Sequence, residues 1–183
     1  MEKSRILLGE KMISTNILVK VALLTATAYL LSFIRVPLPL FPEYLKLDIA
    51  ELPALIAGFA FGPIYGVMVI FIRNVIEVFT KSTTGGVGNL SNFIIGSTFV
   101  LTAGLIYRYN KSKRTAIIGV ICGTLAMTFL GLLSNKYVIF PMYGVPADWI
   151  VLFTFVVPFN LIKGAVNSLV VILLYKKISI LLK

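Results

Sequence analysis

Thr115 to Leu133 reads TAIIGVICGTLAMTFLGLL, nineteen residues without a charge, placed directly after the basic residues Arg108, Lys111, Lys113 and Arg114. A helix rises about 1.5 Å per residue and a bilayer's hydrocarbon core is about 30 Å thick, so this segment is a membrane span with its basic flank left at one interface. The rest of the chain has the same character. It is 58% hydrophobic and 13% charged, with a mean hydropathy of +0.98, whereas a soluble domain carries about 25% charged and 45–50% apolar residues. The apolar excess must face lipid. The chain is long enough for about six spans of roughly 20 residues with short connections, which leaves no room for a soluble catalytic or nucleotide-binding domain.

Working outward, a first span is expected from Thr15 to Ile34, with Lys20 near its start. It must end before Pro37, Pro39 and Pro42, which forbid continued helix. A polar stretch from Glu43 to Glu51 precedes an apolar block from Leu52 to Phe79, broken near Gly62-Pro63. That block is either one kinked span or two shortened helices. Lys81 to Asn89 reads as a turn-rich loop. Further spans are expected at Ser91–Tyr107 and Trp149–Leu174, the latter after a loop with Pro141, Gly144 and Pro146.

The charges choose the count. With six spans, Lys3, Arg5, Lys11, the 108–114 cluster, Lys176, Lys177 and Lys183 share one side, and only Arg35, Lys46, Lys81 and Lys136 lie opposite. The positive-inside rule then places both termini in the cytoplasm. Five spans would set the two basic ends on opposite sides. The expected fold is therefore an all-α integral membrane protein: a six-transmembrane-helix bundle with a long first extracellular loop and both termini cytoplasmic, one domain over residues 1–183.

This distribution also explains the net charge of +10 as a topology signal and not a nucleic-acid footprint. Cys122 is the single cysteine and histidine is absent, which removes the disulfide, the commonest metal ligand and the commonest general base. The N-terminus is too polar, and too continuous with a full span, for a cleaved signal peptide. No Walker motif, nucleophile elbow or metal-ligand spacing is present, so the chain is not expected to be an enzyme. No regular ladder of buried carboxylates suggests ion-coupled transport.

Polar residues inside lipid are costly and call for a function. Arg73 and Glu77, at i and i+4, read as a mutually neutralising pair facing the bundle or as a substrate contact. Asn160 and Lys163 project from one face of the last span, and Lys163 has no acid within a turn of its own helix. Counted from Trp149 they lie roughly 16–21 Å along the axis, too deep for Lys163 to reach the outer headgroups. Pro158 leaves a backbone carbonyl unpaired nearby. Asn160 alone could be a helix–helix hydrogen bond; together the two point to a polar ligand pocket. Asn135, Lys136, Tyr44, Lys46 and Asp48 fall on the same side. The run Gly85-Gly86-Val87-Gly88-Asn89 lacks the Gly-Lys-Ser/Thr of a phosphate-binding loop and reads as a turn.

Phe41 to Pro63, FPEYLKLDIAELPALIAGFAFGP, resembles the first-loop and second-helix signature of riboflavin-specific S components of energy-coupling factor (ECF) transporters. Thr84 to Phe93, TGGVGNLSNF, resembles a second characteristic stretch, and Asn135 with Pro141-Met-Tyr143 and Asn160-Leu-Ile-Lys163-Gly resemble the fifth- and sixth-helix patterns. The resemblance implies a six-helix protein that captures a vitamin from outside and docks on a transmembrane T component and two ABC ATPases. It implies riboflavin as a transported ligand with no cofactor, and leaves open whether FMN is carried too. It places a flavin pocket on Asn135, Asn160 and Lys163, adds Tyr44, Leu45 and Lys46 of the first loop as a lid, and favours two helices across Leu52–Phe79. Glu77 and Asn89 depart from the family pattern.

An asparagine offers one acceptor and two donors, matching the imide edge of an isoalloxazine; a lysine only donates. Asn135 and Asn160 are thus assigned to the imide, Lys163 to a carbonyl or ring nitrogen, and apolar neighbours such as Phe159 to the dimethylbenzene end. Ala22 and Ala26 in the first span form a small-xxx-small face, either internal packing or, as the resemblance implies, the surface that docks the T component. The rival readings are an S component for another vitamin and a self-sufficient secondary transporter.

Overall fold

The structure is a computed structural model that describes residues 14–42 and 45–181, with side chains through residue 174. Tyr44 and the N-terminal basic residues Lys3, Arg5 and Lys11 lie outside the described residues, as does Lys183. Helix α1 (Thr15–Leu31) is followed by a two-residue antiparallel ribbon, β1 (Val36–Pro37) and β2 (Lys46–Leu47), with Val36 opposite Leu47 and Pro37 opposite Lys46. Then come α2 (Leu52–Ala60), α3 (Pro63–Lys81), α4 (Val87–Tyr109) and α5 (Lys113–Ser134). A π-helical turn (Asn135–Ile139) extends α5 into the short α6 (Phe140–Met142). After the outer loop, α7 (Trp149–Val151) and a second π-turn (Leu152–Val156) lead into α8 (Val157–Leu181).

Among the described residues, four helical stretches are long and apolar enough to cross a membrane: Pro63–Lys81, Val87–Tyr109, Lys113–Met142 and Trp149–Leu174. Helix α1 is apolar but has 17 residues. It stops three residues before the expected Ile34, where Ser32 turns its N–H and hydroxyl back onto the carbonyls of Ala28 and Tyr29. The apolar block Leu52–Phe79 is two helices. Gly62 takes φ +119°, open to glycine and strained for any other residue, and Pro63 starts α3 where a missing N–H costs nothing. Helix α2 has nine residues and is buried along most of its length, so it packs within the bundle with little of its surface left for lipid.

The segment Lys81–Asn89 is not loop throughout: Val87, Gly88 and Asn89 already belong to α4. The Ser82 and Thr84 hydroxyls accept from the N–H groups of Gly86 and Gly88 at 2.9 and 3.1 Å, satisfying donors that a helix start leaves open. Helix α5 begins two residues before the expected Thr115, set by a capping box between Ser112 and Thr115.

The core lies where α4 and α5 meet α2, α3 and α8, around Leu55, Ile70, Phe99, Val100, Val120 and Met127. The outer face carries large exposed apolar side chains, among them Leu23, Phe79, Ile150 and Leu173. In water such a surface would aggregate; in lipid it is the solvent-facing side.

Candidate ligand pocket

A cavity of about 490 Å³ opens between the first loop, the start of α4, the π-turn after α5 and the start of α8. Its two sides differ in chemistry. On one, Asn135 and Asn160 stand beside Ile139, Phe140, Val156 and Phe159. Asn135 is the first residue of its π-turn and is buried; its Nδ2 donates to the Gly131 carbonyl at 2.7 Å. Asn160 is buried on α8, and its Nδ2 has no hydrogen-bond partner among the described residues. The two π-turns pack on each other through Ile139, Leu152 and Val156. Each inserts one extra residue into its helix, a device often found at binding sites because it re-aims neighbouring side chains.

The other side is a charge cluster. Lys163 Nζ lies 2.9 Å from Glu51 Oε1, 3.5 Å from Asp48 Oδ1 and 3.4 Å from Asn92 Oδ1. Its acids come from the first loop and the start of α2, more than a hundred residues away in sequence. Arg73 and Glu77 form the expected i, i+4 pair, Nε to Oε1 at 3.6 Å, and both are fully buried. They are not isolated. Arg73 approaches Glu51 at 3.9 Å, while Arg35, Lys81 and Asn89 all converge on Glu77. Arg35 also reaches Asp48 at 3.7 Å. Four cations (Arg35, Arg73, Lys81, Lys163) thus surround three carboxylates. Burial alone would raise the Asp48 carboxyl, but Lys163, Arg73 and Arg35 outweigh it and hold it at about 2. The cluster ties the first loop to α8, a tie doubled where Asn167 Nδ2 donates to the Asp48 carbonyl at 3.2 Å.

Asn135, Asn160, Lys163, Leu45 and Lys46 all line the cavity, Lys46 exposed at its mouth. Phe41 of the first loop lies over Phe155 and Phe159, with ring centroids 6.5 and 5.9 Å away. Lys136 turns away: its ammonium donates to the Ala147 carbonyl and sits over the Trp149 ring. Ala22 and Ala26 lie on the exposed face of α1, whereas Val21, Thr25 and Ala28 form its buried face. The sequence does not single out Asn92, Glu51 or Asn167. Asn167 has a signal, since 160, 163 and 167 follow a helical i, i+3, i+7 stripe.

Helices of membrane-spanning length around a pocket with convergent amides and an apolar wall define a membrane-embedded small-molecule binder. Residues 16–175 match the family model "ECF transporter, substrate-specific component", and the chain belongs to that family, whose members are transport proteins and not enzymes. It is a multi-pass membrane protein. It is 36% identical over 174 residues to "Riboflavin transporter RibU" of Staphylococcus aureus (strain TCH60), covering 91% of this chain and 92% of that protein. It is 34% identical over 177 residues to "Riboflavin transporter FmnP" of Bacillus subtilis (strain 168), covering 88% and 91%. A solved S component of a bacterial ECF transporter superposes with TM-score 0.83 at 38% identity, covering 92% of this chain and 98% of that one. ThiT from Listeria monocytogenes shares the fold, with TM-score 0.68 at 14% identity over 91% and 96% of the two chains.

Proposed function

We propose that this chain is the riboflavin-binding subunit of an ECF importer, which captures flavin from outside and delivers it through a transmembrane T component and two ABC ATPases. In this reading α1 to α5 with α8 are six transmembrane segments, both termini are cytoplasmic, and residues 1–183 form one substrate-binding domain. The observation that carries it is the convergence of Asn135, Asn160 and Lys163 on a cavity with an aromatic wall, in a chain 34–36% identical to two proteins named as riboflavin transporters.

The volume of about 490 Å³ falls in the range of small-ligand sites. A flavin enters with its pyrimidine edge toward the amides and its dimethylbenzene end toward Phe140 and Phe159. Asn135 and Asn160 read the imide, and Lys163 donates to a ring carbonyl or nitrogen while the carboxylates of Asp48 and Glu51 balance its charge. Leu45 and Lys46 close over the ligand from the first loop. The face bearing Ala22 and Ala26 docks the T component, because small side chains let a partner helix approach closely.

Reconstitution tests the division of labour. Proteoliposomes with this chain alone and ATP should accumulate no riboflavin, and adding a T component and two ABC ATPases should start ATP-dependent uptake. Sustained accumulation by the chain alone would overturn the proposal.

A further inference from the structure

Gly131, one turn before Asn135 on α5, touches both pocket asparagines. Its carbonyl accepts from Asn135 Nδ2 at 2.7 Å. That bond fixes which way the amide points and leaves Oδ1 as the atom Asn135 offers to a ligand. On its α-carbon side Gly131 meets Asn160. A Cβ added there would stand 2.5 Å from Asn160 Nδ2 and 3.5 Å from its Cγ, with Ile95 Cγ1 at 3.4 Å. The distance of 2.5 Å is well inside van der Waals contact, so something must move. The colliding atom is the end of a rotatable side chain and the contact with Ile95 is ordinary, so the amide yields before the backbone does. Asn160 has little to resist with: its Nδ2 is buried and has no hydrogen-bond partner among the described residues. Packing against a bare glycine is what seats it.

We propose that Gly131 is a positioning residue for ligand selectivity: its carbonyl sets the acceptor of Asn135, and its missing side chain seats the amide of Asn160, so that the pair presents complementary groups to an imide edge. The inference rests on the flavin-pocket reading above and adds the element that orders the two amides. A ligand whose imide N–H is replaced by N–CH₃ would be refused at Asn135 Oδ1, and refusal depends on the amides staying where Gly131 holds them.

The test is a double-mutant cycle on the full chain purified in detergent, with Gly131→Ala, Asn160→Ala and the pair, titrated with riboflavin and with 3-methylriboflavin. Gly131→Ala should lower riboflavin affinity on the order of tenfold, the scale of one buried polar group left unmatched. It should also narrow the preference for riboflavin over the methylated analogue, which a general loosening of the fold would leave unchanged. In the Asn160→Ala background the glycine substitution should cost little more, because the side chain it displaces is gone. Wild-type binding in Gly131→Ala, or a loss that adds in full to that of Asn160→Ala, would overturn the proposal. If Gly131→Ala does not fold, the pair must; failure of both would overturn it too. Should the wild-type chain bind no flavin, the functional reading fails, and melting of the unliganded proteins still decides. Gly131→Ala must then lower the melting temperature and Asn160→Ala must restore it, whereas equal lowering in both backgrounds contradicts the seat.

Discussion

The two sides of the pocket handle polarity in opposite ways. Along the first loop, α2 and α3, charged groups answer one another: Asp48, Glu51 and Glu77 are each within reach of at least two cations. On the other side stand two neutral amides with hydrogen-bonding capacity left over, Asn135 at Oδ1 and Asn160 at Nδ2. Buried charge pairs contribute little net stability but are costly to break. An unmatched amide, by contrast, is ready to be matched by something else. In the proposed reading the charged side holds the first loop onto the bundle, the amides read the ligand, and Lys163 stands where the two sides meet.

The largest expected effect is on the charged side. Arg73→Met breaks the buried pairs with Glu51 and Glu77 and should cost about 3 kcal/mol of stability, the lower end for breaking a buried pair, because Lys163 still faces Glu51 and Arg35 and Lys81 still face Glu77. Denaturation of the purified chain checks it, and an unchanged midpoint would show that the cluster does not depend on Arg73. On the amide side the effect should move from stability to affinity. Asn160→Ala should weaken riboflavin binding by about 1–3 kcal/mol while the unliganded chain melts close to wild type. The reverse pattern, a large loss of stability with intact binding, would erase the distinction between the sides.

The outline of this division was legible in the sequence, and its connections were not. Gly62-Pro63 announced the break between α2 and α3 because glycine and proline act locally, and the i, i+4 spacing announced the Arg73–Glu77 pair. The partners of Lys163 are Asp48 and Glu51, and only the packing of α8 against the start of α2 brings them together. No local spacing encodes that. The π-turns that begin at Asn135 and Leu152 share an apolar cluster of Ile139, Phe140, Leu152 and Val156, and in sequence their residues look like ordinary helix. Helix α4 starts four residues before the expected Ser91 because Ser82 and Thr84 cap a glycine-rich run that composition alone marks as loop.

Smaller effects follow where the two sides meet. Asp48→Asn removes the carboxylate that Lys163 and Arg35 share, and should speed flavin release several-fold, read by stopped-flow fluorescence, by loosening the loop. The sign of the pH dependence follows from the depressed carboxyl. The contribution of Asp48 is complete above its ordinary value of 3.8 and is lost as pH falls toward about 2. Titration of Asp48 should therefore leave binding near neutral pH untouched, and a fall traceable to Asp48 at pH 6 would contradict the geometry. The smallest effect on binding belongs to α1. Ala22→Trp or Ala26→Trp should leave riboflavin affinity unchanged and abolish co-purification with the T component. Loss of flavin binding in either variant would place that face within the bundle's own packing.

The central claim is that this pocket takes a flavin, and one equilibrium titration tests it most directly. Purified chain is added to riboflavin while the flavin's fluorescence and visible absorption are followed. Saturable quenching at one flavin per chain, with a perturbed absorption band and loss of affinity in Asn160→Ala, is the predicted result. Free-flavin fluorescence and an unshifted spectrum at saturating protein would contradict it.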